Sequence, residues 1–231
     1  MIQPLCLIAF DAAGRSCAAA LLRGGELLAE RFEVMARGQA ERLVPMIEEV
    51  LGEAGVAHGE LDALAVTVGP GGFTGLRIGL AAARGYALAL GIPQIAVTSF
   101  EAIAEATRPA EREGRELLVL LDAKREDFYA QLFSGTLEPL GQPFCATAED
   151  LADRLPAGPF LLAGDAVEQA LPGLDGVPFL RSAAPAQVSA AAVARVAARR
   201  GLPKAGSPQP QPLYLRPPDV TQPKKAARPG A

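Results

Sequence analysis

Three short apolar runs separated by turn chemistry open the chain. Residues 5–10, 17–22 and 27–34 read as strands, with Asp11-Ala12-Ala13-Gly14-Arg15 and Arg23-Gly24-Gly25-Glu26 as the turns between them. The period then lengthens. Across residues 38–53, Leu43, Met46, Ile47, Val50 and Leu51 recur at helical spacing and predict an amphipathic helix. Pro45 falls inside this stretch, so either the helix begins near Val44 or Pro45 occupies its first turn. A β-branched run at 64–68 ends in Gly69-Pro70-Gly71-Gly72-Phe73-Thr74-Gly75. It leads into a small-residue helix carrying Ile78, Leu80, Ala83, Ala87 and Leu90, with Thr74 as its expected cap and Gly91 as its stop. A strand at 95–97 and a helix from about 100 to 107, with Ser99 as candidate cap, complete the first part.

A charged run at 108–116 reads as a solvated crossing, which puts a boundary near residue 108. Beyond it, 117–121 is uninterrupted apolar sequence, as in a strand covered on both faces, and 128–133 is a further strand. Thr147 is placed to cap a helix bearing Leu151 and Leu155, and strands are expected at 160–163 and 177–180. Ser189 then caps a helix over 190–200 that Gly201 stops. Eight of the twenty prolines lie between Pro203 and Pro229. The expected organisation is a first lobe over 1–108, a second, smaller α/β lobe over 109–201, an extended proline-rich segment over 202–220 packed on the body, and a disordered basic tail over 221–231.

Composition narrows the chemistry. A net charge of -4 provides no global attraction for nucleic acid, so RNA contact has to be local or supplied by a partner. Cys6, Cys17 and Cys145 are widely spaced and odd in number, which argues against a disulfide framework or a cysteine zinc site and suits the reducing cytoplasm. No apolar run approaches 18 residues, so neither a membrane span nor a signal peptide is expected. His58 is the only histidine, so this chain cannot assemble a His-His metal site. It also leaves a single base for any Ser-His-Asp arrangement among Thr74, Ser99 and Ser189, and no catalytic residue is assigned.

Two features keep a binding site in view. The glycine loop, through Gly69, Gly71, Gly72, Thr74 and Gly75, could cradle an anion or nucleotide at a helix N-terminus. It matches neither the Walker A spacing nor the dinucleotide fingerprint, and the competing reading is a turn that lets backbone pack closely. Asp11 is chemically suited to Mg²⁺ or to phosphate through water, or else it stabilises its own turn. Asp122 is a second carboxylate at the end of a strand.

The stretch Gly69-Pro70-Gly71-Gly72-Phe73-Thr74-Gly75-Leu76-Arg77-Ile78-Gly79 closely resembles the signature of the TsaB/YeaZ family. The resemblance extends to residues 9–13, 41–45 and 122–124, to Tyr129 and to Tyr214-Leu215-Arg216, so it spans nearly the whole chain. Two departures are Gln39, where the family often has histidine, and Arg125-Glu126-Asp127, where it commonly carries Gly-Glu. The resemblance implies an α/β, two-lobed fold with mixed sheets, of the actin-like, Hsp70-like and sugar-kinase-like type. It implies a non-catalytic partner of a TsaD-like catalytic subunit. With a TsaE-like ATPase, that complex transfers a threonylcarbamoyl group to the adenosine beside the anticodon of ANN-decoding tRNAs. The partner interface it implies comprises Gln39, Leu43, Met46, Ile47 and Val50 on one helix and Arg77, Leu80, Ala81 and Arg84 on the next. A homodimer through the same surface is the alternative pairing. No intrinsic cofactor is implied, but ATP or ADP in the assembled complex is, with Asp11 and the glycine loop as contributors. A kinase of the same superfamily, with Asp11 and Asp122 facing one cleft as the resemblance implies for closing lobes, and a glycoprotease-like peptidase are the competing functions.

Overall fold

The computed structural model describes residues 4–204 and 206–216. The tail expected over 221–231, and the end of the proline-rich segment, lie outside the described residues. The first lobe is built from β1 (Cys6–Asp11), β2 (Ser16–Arg23), β3 (Glu26–Val34), α1 (Gln39–Ala54), β4 (Ala63–Thr67), α2 (Phe73–Leu90), β5 (Gln94–Val97) and α3 (Ser99–Ala106). Its sheet runs β3-β2-β1-β4-β5, antiparallel across the first two pairings and parallel from β1 onward. Both faces are covered, which is why β1 and β4 read as unbroken apolar runs. On one face Ile8, Phe10, Leu21 and Leu64 pack with the buried stripe of α1 and with Leu80 and Ala83 of α2.

The second lobe contains α4 (Pro109–Arg112), β6 (Glu116–Asp122), β7 (Phe128–Phe133), β8 (Phe144–Ala146), α5 (Ala148–Leu151), β9 (Phe160–Ala163), α6 (Val167–Ala170) and β10 (Phe179–Arg181), with sheet order β10-β9-β6-β7-β8. The chain then returns as α7 (Ala190–Arg200). Sequence spacing assigns this helix to the second lobe, but it lies on the free face of the first sheet, where Ala190 and Ala191 meet Ala18 and Ala20 of β2. Alanine on both sides allows the close approach. One core cluster runs from Leu7, Ala63 and Val97 through α3 and α7 to Leu117, Val119 and Leu161, so the two sheets share apolar contacts.

Several local expectations are corrected. Pro45 sits in the seventh position of α1, not its first turn; its side is exposed, so the missing N–H falls on the wet face of the helix. The N-cap of α2 is Gly72, and Thr74 is already inside the helix. Thr98, rather than Ser99, caps α3: its hydroxyl accepts from Glu101 N–H at 3.1 Å while the Glu101 carboxylate accepts from Thr98 N–H at 2.8 Å. This reciprocal box satisfies two orphan donors, which Ser99 one residue later cannot do. The helix after Thr147 stops at Leu151, and the strand expected at 177–180 is the short edge strand β10. Ser189 does cap α7, accepting from Ala192 N–H at 3.3 Å, and its hydroxyl donates to Glu30 of β3 at 2.8 Å.

Candidate functional site

The loop between β4 and α2 rests on the turn between β1 and β2. Gly72 N–H donates to the Ala13 carbonyl at 2.7 Å. A Cβ on Gly71 would stand 2.6 Å from that same oxygen, and one on Gly75 would run into the Ala12 carbonyl. These glycines are therefore required by backbone approach to a turn about 60 residues earlier in the chain. Gly69 adopts φ 106°, a left-handed conformation, and its carbonyl accepts from Ser99 N–H at 2.8 Å. Thr74 is exposed on the first turn of α2.

Asp11 ends β1 completely buried. Its Oδ1 accepts from Ala13 N–H at 3.1 Å, and Oδ2 has no partner among the described residues. Loss of hydration raises its pKa to about 6, with the Thr67 hydroxyl and then the Ala13 and Gly14 backbone amides pulling the other way. The carboxylate thus turns into its own loop. Asp122, in contrast, borders the cavity between the lobes, together with Ala13 to Ser16, Pro70 to Gly72, Ser99, Lys124 and Asp165. The two aspartates do not share a cleft. Lys124 contacts Asp122 at 2.6 Å through its ammonium and at 2.6 Å through its backbone amide. Partial burial works against the Asp122 carboxylate, but these two contacts outweigh it and hold the group below its ordinary value. Burial raises Asp165, whose Oδ1 accepts from Asp122 N–H at 2.8 Å. The cavity itself measures about 70 Å³.

A roomier groove of about 530 Å³ opens between the N-termini of α1 and α2. It brings together Gln39, Gly72, Thr74 and Gly75, with Arg15, Arg37 and Lys124 on its walls against Glu41. Gln39 Nε2 donates to the Met35 carbonyl at 3.2 Å and so ties the start of α1 to the preceding loop.

The expected partner face needs correction at five positions. Leu43, Met46, Ile47 and Val50 are fully buried and Leu80 is 3% exposed, so they form the lobe's own core. Their helical period identified the buried stripe, and a buried stripe is already occupied. Arg77, Ala81 and Arg84 are exposed, and with Phe73 and Leu88 they make one face of α2. Leu88 is 88% exposed, and the Arg77 guanidinium lies 3.6 Å over the Phe73 ring. Tyr214 stands 5.9 Å from Phe73, bringing the C-terminal segment to the same face. Sequence reading missed Phe73 and Leu88 as surface residues; the available signal was an apolar residue at a position where the helical period calls for a polar one, whereas Tyr214, expected to pack on the body, is 43% exposed beside Phe73. Among the described residues no group of three or more His, Cys, Asp or Glu is placed to hold a metal, and no helix is long and apolar enough to cross a membrane.

Two lobes, each a mixed five-stranded sheet, are joined through α3 and α7 about a cleft, the two-lobed α/β architecture that the sequence resemblance implies. A family model described as tRNA N6-adenosine threonylcarbamoyltransferase (TsaD) matches residues 32–199. An uncharacterised protein of Mycobacterium tuberculosis is 34% identical over 222 residues, 95% of each chain. The tRNA threonylcarbamoyladenosine biosynthesis protein TsaB of Haemophilus influenzae is 34% identical over 128 residues, covering 55% of this chain and 53% of that one. The solved structure of YeaZ from Pseudomonas aeruginosa superposes with a TM-score of 0.74 at 30% identity, covering 91% of this chain and all of the other. The chain belongs to the TsaB/YeaZ family.

Proposed function

We propose that this chain serves tRNA threonylcarbamoyladenosine biosynthesis as a non-catalytic subunit. It docks on a TsaD-like catalytic subunit and, with a TsaE-like ATPase, supports transfer of the threonylcarbamoyl group to the adenosine beside the anticodon. The observation that carries this reading is the interlobe cavity. At about 70 Å³ it falls well short of the roughly 300–1,000 Å³ of small-molecule pockets, and the groove that reaches that size lies open between the N-termini of α1 and α2. Asp11, the carboxylate suited to phosphate or Mg²⁺, is committed to its own turn. A chain built this way contributes surface to a reaction, not a reacting group.

The surface is the exposed face of α2, where Phe73, Arg77, Ala81, Arg84 and Leu88 stay exposed although Tyr214 and Pro210 of the C-terminal segment lie beside Phe73 and Arg84. A second copy pairs through the same face when the catalytic subunit is absent. ATP or ADP, where it enters, occupies the groove between α1 and α2 once a partner closes it, and tRNA is held by the assembled complex in the cytoplasm. The test is reconstitution of tRNA modification from purified TsaC, TsaD and TsaE with and without this chain. Modification that depends on its addition, with no turnover by the chain alone, is the expected result. Unchanged modification on omission, or nucleotide consumption by the chain alone that Asp11→Asn abolishes, rejects the reading in favour of a kinase.

A further inference from the structure

The C-terminal segment crosses from one lobe to the other, and its contacts fall at two particular places. Leu213 N–H donates to the Val68 carbonyl at 2.7 Å, and its own carbonyl stands 3.1 Å from where a Cβ on Gly69 would be. These residues immediately precede Pro70, Gly71 and Gly72, which form one wall of the interlobe cavity. Three residues later, Arg216 pairs with Asp127, which is only 7% exposed. Asp127 closes the turn that supplies Asp122 and Lys124 to the opposite wall. Between them, Leu215 packs on the apolar cluster shared by the two sheets. Upstream, the Pro210 carbonyl accepts from Arg84 of α2 at 3.5 Å.

Each side of the cavity includes a loop, residues 70–72 on one and the turn bearing Lys124 on the other, beside Ser16, Ser99 and Leu121 from regular elements, and both loops are held from behind by the same short piece of chain. From Leu213 to Arg216 an extended backbone reaches at most about 11 Å, so the segment acts as a tie of fixed maximum length. We propose that residues 213–216 form a latch that sets the width of the interlobe cleft, and that release of either end lets the cleft open while each lobe stays folded. The cleft is narrow because these two loops are tied, in addition to the core that α3 and α7 share between the sheets.

The test uses the full chain carrying Ser99→Cys, a near-isosteric thiol on the cavity wall, with Cys145→Ser to remove the partly exposed native thiol. Cys17 is the internal reference: it lies in the core of β2 with no exposure, and burial pushes its thiol up to about 11, so it reacts with a maleimide only on global unfolding. Labelling at both positions is followed by mass spectrometry. Two variants break the tie independently: Arg216→Glu at one end, and Leu213→Pro, which removes the N–H bonded to Val68, at the other. The expected result is a rise of about tenfold in the rate at position 99 relative to Cys17 in either variant. A ratio unchanged in both, whether because neither site speeds up or because both do so together, overturns the latch.

Discussion

At Asp11 the sequence offers a metal-suited carboxylate and the fold offers it no water. Its pKa of about 6, against 3.8 for the free group, means that the native chain binds this proton more tightly than the unfolded chain. Its contribution to stability is therefore fully present below the unfolded value and lost as pH rises through the folded one. A displacement of about two units amounts to ~3 kcal/mol over that window. Thermal melts across the acid range are expected to show this component in the native chain and not in Asp11→Asn; an identical pH slope in the variant removes Asp11 as its source. Glycines separate in the same way by environment. Gly75→Ala drives a methyl into the Ala12 carbonyl and is expected to cost about 3 kcal/mol or more. Gly85→Ala, on the same helix with open space around it, is expected to stabilise by up to ~1 kcal/mol. Paired urea titrations check both; equal effects would mean that Gly75 is not packed on the turn. No local pattern distinguishes these two glycines, because the atoms that do so belong to Ala12 and Ala13.

Among the elements, α1 and α2 were legible as helices from their apolar spacing, and the ends set by Gly55, Gly91 and Gly201 follow local backbone chemistry. Their faces were read less well. A helical period reports which side is apolar, and in α1 that side is wholly consumed by the lobe's own sheet. The part of α2 left over for a partner is mixed, with Arg77 and Arg84 beside Phe73, Ala81 and Leu88, so it has no simple periodic signature. Leu88→Glu is expected to leave folding within about 0.5 kcal/mol and to weaken association with the catalytic subunit at least about tenfold. Leu43→Ala should do the reverse: it is expected to cost about 2–5 kcal/mol in stability, with association lost only as far as folding is lost. Denaturation curves and titration calorimetry on the two variants separate the roles, and a binding defect confined to Leu43→Ala would return the interface to the buried stripe.

Across the whole molecule, the two sheets are joined by α3 and α7 and spanned by the C-terminal segment, leaving an interlobe cavity too small for a nucleotide and, beside it, a groove of about 530 Å³ that lies open without a partner. Isothermal titration of the isolated chain with Mg-ATP is accordingly expected to give a Kd weaker than about 1 mM. Tighter binding that survives Thr74→Ala and Gln39→Ala would place the nucleotide between the lobes and reopen the kinase reading. The charged run that suggests a crossing from residue 108 was legible. The return of α7 to the first sheet was not, since an alanine-rich helix capped by Ser189 carries no mark of which sheet its small face will meet.

By itself the sequence determined the strands, the helices and most of their ends, because backbone propensity, capping chemistry and apolar period act over a few neighbouring residues. It also determined the family, through the run from Gly69 to Gly79. The tertiary structure alone decided what those residues face: the glycine loop against the β1–β2 turn, Asp11 into its own loop, the α1 stripe into the core, and Leu213 against Val68. Those outcomes depend on contacts between segments distant in the chain, where packing and burial choose among uses that the local sequence leaves equally open.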